Sequence, residues 1–205
     1  MPISSVTIAD LRDPTRYRLL TTLDMRNPGE FFRENARGSR LVPVFLLTVL
    51  GWLGAVAGWS ATRATHPGDF LVPLAWAALL VFGGLLPLHE GIHALTYRWL
   101  GARDVRFSLS ANKLAVYTCA NRFVVPVRQM FVLAALPFVL ISAGLLGLLA
   151  GVPQHGLVWA WALGLHAFGC AGDCILLAFA RKNRARALYN YDDVAAQESY
   201  FFEKV

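Results

Sequence analysis

His89, Glu90, Gly91, Ile92 and His93 make the pattern His-Glu-x-x-His. Residues four apart share one face of a helix, so His89 and His93 can both offer an imidazole nitrogen to a single Zn²⁺, with Glu90 beside them. The chemistry this suits is hydrolysis. Zinc lowers the pKa of coordinated water toward about 7 and polarises a carbonyl, and a carboxylate takes the proton as water attacks. Chance matches to this pattern occur in soluble helices. This one lies inside an apolar run, Phe70 to Tyr97, where a charged side chain costs about 2.5 kcal/mol or more and usually serves function. The competing reading is a polar contact between helices that happens to match.

A catalytic zinc commonly has three protein ligands and an open position. Asp173 is the strongest third ligand, as the only acidic residue of the apolar run Gly156 to Ala180. It precedes Arg181 by roughly 12 Å of helix, and His89 precedes Arg98 by roughly 13 Å, so the two match in depth. The alternative for Asp173 is an ion pair with an arginine such as Arg181. His166, Gly169, Cys170 and Asp173 follow i, i+3, i+4, i+7 spacing, which places two small residues beside polar ones and lets helices approach closely. His166 and Cys170 are open between additional ligands, orienting groups, oxyanion stabilisers and packed side chains. Pro87, after Gly83-Gly84, could kink its helix and open a path for water, although both residue types are common in membrane helices. His66 and His155 fall in other loops and carry no assigned role.

The elements holding these residues follow from composition. The chain has 205 residues, 56% hydrophobic and 16% charged, with a mean hydropathy of +0.48. Four runs, Leu41 to Ala61, Phe70 to Tyr97, Met130 to Gly151 and Gly156 to Ala180, are long enough at 1.5 Å per residue to cross roughly 30 Å of hydrocarbon. They lack the short alternation of barrel strands. A soluble helical protein with a large core would rarely contain such runs. All but one of the 19 Lys and Arg residues fall before the first run, between the second and third, or after the fourth, Arg63 being the exception. The positive-inside rule then puts both termini and the middle loop in the cytoplasm. The net charge of +6 reflects these flanks, so no nucleic-acid partner is expected. Cys119, Cys170 and Cys174 have no disulfide or Cys-x-x-Cys spacing, and no cleaved leader is expected.

In the middle loop, Val105, Phe107 and Leu109 alternate, then Leu114, Val116 and Thr118 after a turn at Ala111-Asn112. This predicts a short β-hairpin at the cytoplasmic face, with an irregular amphipathic loop as the alternative. Residues 1–40, with Phe31, Phe32 and several arginines, read as a cytoplasmic extension or a surface-lying amphipathic segment. The tail is polar and aromatic without an interpretable motif.

His89-Glu90-Gly91-Ile92-His93-Ala94, Ala115-Val116-Tyr117, Ala135-Leu136-Pro137 and Gly169-Cys170-Ala171-Gly172-Asp173 together resemble the DUF3267 family of zincin peptidases, itself similar to the site-2-protease class of intramembrane metalloproteases. The resemblance runs from about Phe31 onward. It implies a cytoplasm-facing zinc site with His89, His93 and Asp173 as ligands and Glu90 as base. Family members often carry Asn and Ser where this chain has His166 and Cys170.

The expectation is an all-α integral membrane protein of the cell membrane: four transmembrane helices over 41–180, a cytoplasmic hairpin in the middle loop, a cytoplasmic segment 1–40 and a cytoplasmic tail 181–205. Its expected activity is zinc-dependent hydrolysis of peptide bonds in membrane-associated protein substrates, with Glu90 as general base and the lipid bilayer as a partner. A membrane zinc protein acting as an adaptor or scaffold is the alternative. A metal transporter is disfavoured, because polar groups concentrate at one depth instead of lining a path through the outer halves of the spans.

Overall fold

The computed structural model describes residues 6–110 and 115–205. In chain order the elements begin with α1 (Ile8–Leu11), β1 (Tyr17–Asp24), α2 (Gly29–Arg37) and α3 (Leu41–Arg63). Next come α4 (Pro67–Leu80), a π turn (Val81–Leu85), α5 (Leu86–Trp99), β2 (Val105–Ser110), β3 (Ala115–Ala120), β4 (Val125–Pro126) and α6 (Val127–Gly151). The chain closes with α7 (Gly156–Gly169), α8 (Ala171–Lys182), β5 (Leu188–Asp193) and β6 (Glu198–Lys204).

Three helical stretches are long and apolar enough to cross a membrane: Leu41–Arg63, Pro67–Trp99 and Val127–Gly151. A fourth follows if the bent pair α7 and α8 counts as one span. The run through Asp173 is not the continuous helix expected, since the axis turns by 49° at Cys170. Gly169 and Gly172 flank that bend, and glycine weakens a helix interior by roughly 1 kcal/mol relative to alanine. The second stretch stays helical through Gly83-Gly84 but widens into the π turn just before Pro87. Pro87 has no N–H for the carbonyl four residues back, and a π turn absorbs that loss without a break.

The helices bury a seam that includes Val56, Ala77, Val81, Ile141, Leu145 and Trp161. Trp52 Nε1 donates to the Ala160 carbonyl at 2.9 Å and Trp161 Nε1 to Ser60 Oγ at 3.1 Å, so both indoles are satisfied inside the bundle. A Cβ on Gly164 would lie 2.5 Å from a Leu53 methyl, which shows why α7 carries a glycine where it packs on α3 at this point. Outward faces remain apolar: Leu47 is 69% exposed, Leu79 62% and Phe82 71%.

Beyond the middle-loop hairpin, the sequence pattern predicts no sheet. The two ends of the chain fold together as a four-stranded antiparallel sheet in the order β1-β6-β5-β4, so the fold is mostly helical and not all-α. β1 runs from Tyr17 opposite Lys204 to Asp24 opposite Glu198, with a register shift between Leu19 and Thr21. β4, which leads into α6, pairs Val125 with Asn190. The sheet therefore joins the segments before the first apolar helix, between the second and third, and after the last. Phe201 stacks on Phe31 of α2 at 5.6 Å and meets Phe179 of α8 at 4.8 Å, tying sheet to helices. Burying a phenylalanine contributes about 1.5–3 kcal/mol, so this trio anchors the ends of the chain. Arg18 and Arg186 both pair with Glu203 and hold its carboxyl below the usual range.

Asp192 is buried in β5, accepting from Ser199 and from the backbone of Ala120, with its pKa raised by burial to about 6. A carboxyl whose folded pKa is raised favours the fold when protonated, and that contribution is lost as pH rises from about 4 through about 6. At roughly 1.4 kcal/mol per pKa unit, the neutral-pH cost is about 3 kcal/mol. Asp192→Asn keeps an accepting oxygen and removes the charge. We expect its melting temperature in detergent to exceed that of the wild type at pH 7, with the gap closing by pH 4. A gap that does not change with pH would exclude Asp192 as the titrating group.

β2 and β3 pair antiparallel from Val105 opposite Ala120 to Ser110 opposite Ala115, in line with the expected hairpin. The expected turn at Ala111-Asn112, and Leu114, lie outside the described residues.

Candidate metal centre

His89 and Glu90 are buried in the second turn of α5, and His93 lies one turn further on. Asp173 projects from the first turn of α8. His89 Nε2 lies 3.1 Å from His93 Nε2 and 3.1 Å from Asp173 Oδ2, and His93 Nε2 lies 3.5 Å from Asp173 Oδ1. Asp173 thus meets the two histidines. Among the described residues no ion pair joins it to Arg181.

Two nitrogens and a carboxylate held this way fit a metal. Zinc–donor bonds of about 2.0–2.2 Å in a tetrahedral site put neighbouring donors roughly 3.3–3.6 Å apart, close to the observed separations. Imidazole and carboxylate are also donors zinc accepts. His89, Glu90 and His93 present donor atoms within 4.8 Å of one another, as do His89, His166 and Cys170.

The second set lies on the other side of the shared ring. His89 Nδ1 is 3.3 Å from His166 Nε2 and 3.8 Å from Cys170 Sγ. His166 and Cys170 sit at the end of α7 and at the bend, where the 49° turn brings both against α5. An ion at His89 Nε2 therefore has His93 and Asp173 as neighbours, with His166 and Cys170 behind the ring.

Two further contacts, neither foreseen from sequence, complete the site. Thr118 Oγ1 of β3 donates to Glu90 Oε2 at 2.8 Å and to the Glu90 carbonyl at 3.1 Å. The hairpin is thus not confined to the helix ends, because its second strand reaches a residue on the second turn of α5. Nothing local in the sequence marks Thr118, since the contact spans a helix and a hairpin. The second contact is the approach of the Leu133 backbone in α6 to His93. Pro137, four residues on, has no N–H to occupy the Leu133 carbonyl. That unspent acceptor can steady the ring of His93 while Nε2 faces Asp173. A proline within a predicted helix was the available signal, but it does not say which side chain uses the freed carbonyl. His66 caps α4 through Asp69, and His155 packs edge-on to Trp159, so neither joins the site.

No curated protein and no solved structure matches the chain. The family described as "Putative zincin peptidase" (DUF3267) matches residues 82–188, a stretch that contains His89, Glu90, His93, His166, Cys170 and Asp173. That stretch is just over half of the chain, and the protein belongs to this family.

Proposed function

We propose that the protein is an intramembrane zinc metalloprotease, related in plan to the site-2-protease class, that hydrolyses peptide bonds of membrane-associated substrates near the cytoplasmic face of the cell membrane. The observation that carries this is the convergence of His89 Nε2, His93 Nε2 and Asp173, with Glu90 alongside, among helices whose outer faces are apolar. His89, His93 and Asp173 would hold the zinc. When bound, it supplies Lewis acidity toward the scissile carbonyl and makes water acidic enough to react near neutral pH.

The chain's own residues do the rest. Thr118 holds Glu90 Oε2, which leaves Oε1 to receive the proton of the attacking water and pass it to the leaving amine. Asp173 faces Nε2 of His93, and the Leu133 backbone beside the ring can steady it. The β2–β3 hairpin, held against α5 through Thr118, can take an unwound substrate segment by edge pairing.

The membrane reading is supported by the sheet. β1 and β5–β6 lie in one sheet with β4, so if the apolar helices cross a bilayer, the leading segment, the middle loop and the tail would share one side of it. That arrangement requires an even number of crossings, which counts α7 and α8 as one broken span. The concentration of Lys and Arg on these three segments supports a cytoplasmic assignment for that side.

Stripping the metal is the direct test. Detergent-purified protein treated with a chelator is expected to lose cleavage of a membrane-anchored test peptide, and added Zn²⁺ to restore it. Cleavage that continues at full rate in protein shown by elemental analysis to be zinc-free would sink the proposal. A scaffold with a closed metal centre would instead need a fourth protein ligand, and His166 and Cys170 face the wrong nitrogen of His89 to provide one.

A further inference from the structure

His89 presents one ring nitrogen to each of two donor sets. On the Nδ1 side the separations are 3.3 Å to His166 Nε2, 3.8 Å to Cys170 Sγ, and 3.7 Å between Cys170 Sγ and His166 Nε2. Metal–nitrogen bonds of about 2.0 Å and a metal–sulfur bond of about 2.3 Å give tetrahedral edges of roughly 3.3 Å between nitrogens and 3.5 Å between nitrogen and sulfur. The observed triangle is close to that in all three edges. Without a metal the same three contacts lie within hydrogen-bond range, with the ring tautomers deciding which nitrogen donates. His166 is not held from behind: its Nδ1 is buried with no hydrogen-bond partner among the described residues. The ring is turned so that its one engaged nitrogen faces His89 and Cys170. All three side chains are buried.

We propose that His89 Nδ1, His166 Nε2 and Cys170 Sγ form a second metal seat, selective for soft cations such as Cd²⁺ or Cu⁺, that excludes zinc from the His89–His93–Asp173 seat. The thiolate makes soft ions more favoured here than at the His89–His93–Asp173 seat, whose donors are nitrogen and oxygen. Exclusion follows from the chemistry of His89. A neutral imidazole has one acceptor nitrogen and one N–H, so it can ligate through Nδ1 or through Nε2 but not both. With a cation at Nδ1, Nε2 carries the hydrogen and donates to Asp173 Oδ2, 3.1 Å away. Binding also displaces the thiol proton of Cys170 to solvent. The seat itself does not depend on the proteolytic reading. Only its consequence, inhibition of cleavage by soft cations, rests on that reading.

The test uses the full chain in detergent with Cys119→Ser and Cys174→Ser, so that Cys170 is the only thiol, titrated with Cd²⁺ while thiolate–cadmium charge-transfer absorbance is followed in the ultraviolet. We expect the absorbance to saturate at one equivalent in metal-free protein, and to persist when His93→Ala is added, because His93 belongs to the other seat. Adding His166→Ala should weaken binding at least tenfold, and Cys170→Ser should abolish the band. In zinc-loaded protein, zinc should be released in proportion to cadmium bound. Absence of the band in metal-free protein, or an undiminished affinity with His166→Ala, would overturn the seat. Full retention of zinc at cadmium saturation would overturn exclusion. If His166→Ala does not fold, His166→Gln, which keeps the size but offers a poor metal donor, serves the same comparison. A chain that carries no zinc as purified, yet gives the cadmium band, would remove the protease reading and leave the second seat standing.

Discussion

Glu90→Gln is expected to keep its zinc and to lose cleavage by roughly 10²- to 10⁴-fold, the range a positioned general base contributes. The glutamine carbonyl oxygen can still accept from Thr118, which holds Glu90 Oε2 at 2.8 Å, so the side chain should stay where it is. What it loses is the ability to take a proton. His89, His93 and Asp173 are untouched, and their donor separations of 3.1 to 3.5 Å do not depend on Glu90. The measurement pairs elemental analysis of the purified variant with its rate on a membrane-anchored peptide. An unchanged rate would reject Glu90 as the base. Loss of zinc with the rate would make Glu90 a ligand, not a base.

Asp173→Ala is expected to release the zinc altogether at the concentrations used for purification. Loss of a partner that merely orients a ligand costs about 10- to 100-fold in metal affinity, and loss of one of three ligands should exceed that. His89→Ala should do the same, since both donor sets use His89. Stoichiometric zinc in the wild type, absent from both variants, would support a site closed across α5 and α8. Zinc lost in His89→Ala but kept in Asp173→Ala would move the ion to the other face of the ring, where His166 and Cys170 wait at 3.3 and 3.8 Å from Nδ1. Asp173 lies at the start of α8, so its removal should disturb folding little. Gel filtration of each variant separates loss of metal from loss of structure.

Much of the candidate site was readable along the chain because its parts obey local rules. His89 and His93 are four residues apart, and helical geometry alone puts them on one face. Asp173 stood out because an acidic side chain inside an apolar run is expensive unless it has a task. The apolar helices were equally legible, since uninterrupted hydrophobic length needs no knowledge of neighbours. Alternation of Val105, Phe107 and Leu109 was enough to place β2, which runs Val105–Ser110.

Only the tertiary structure decided the rest, because it depends on residues far apart in sequence. No local pattern says that the aromatic tail pairs with Tyr17–Asp24, some 180 residues earlier, although the tyrosines and phenylalanines of β5 and β6 carried a strand signal of their own. Thr118 reaches Glu90 only because the hairpin folds back along α5. The bend at Cys170 replaced the expected straight helix, and Asp173 beyond it meets Nε2 of His89 while His166 and Cys170, before and at it, meet Nδ1. Sequence spacing determined which residues could ligate a metal. Helix packing determined how those residues divide between the two sides of one imidazole, since a ring's orientation is set by what presses on it and not by its place in the chain.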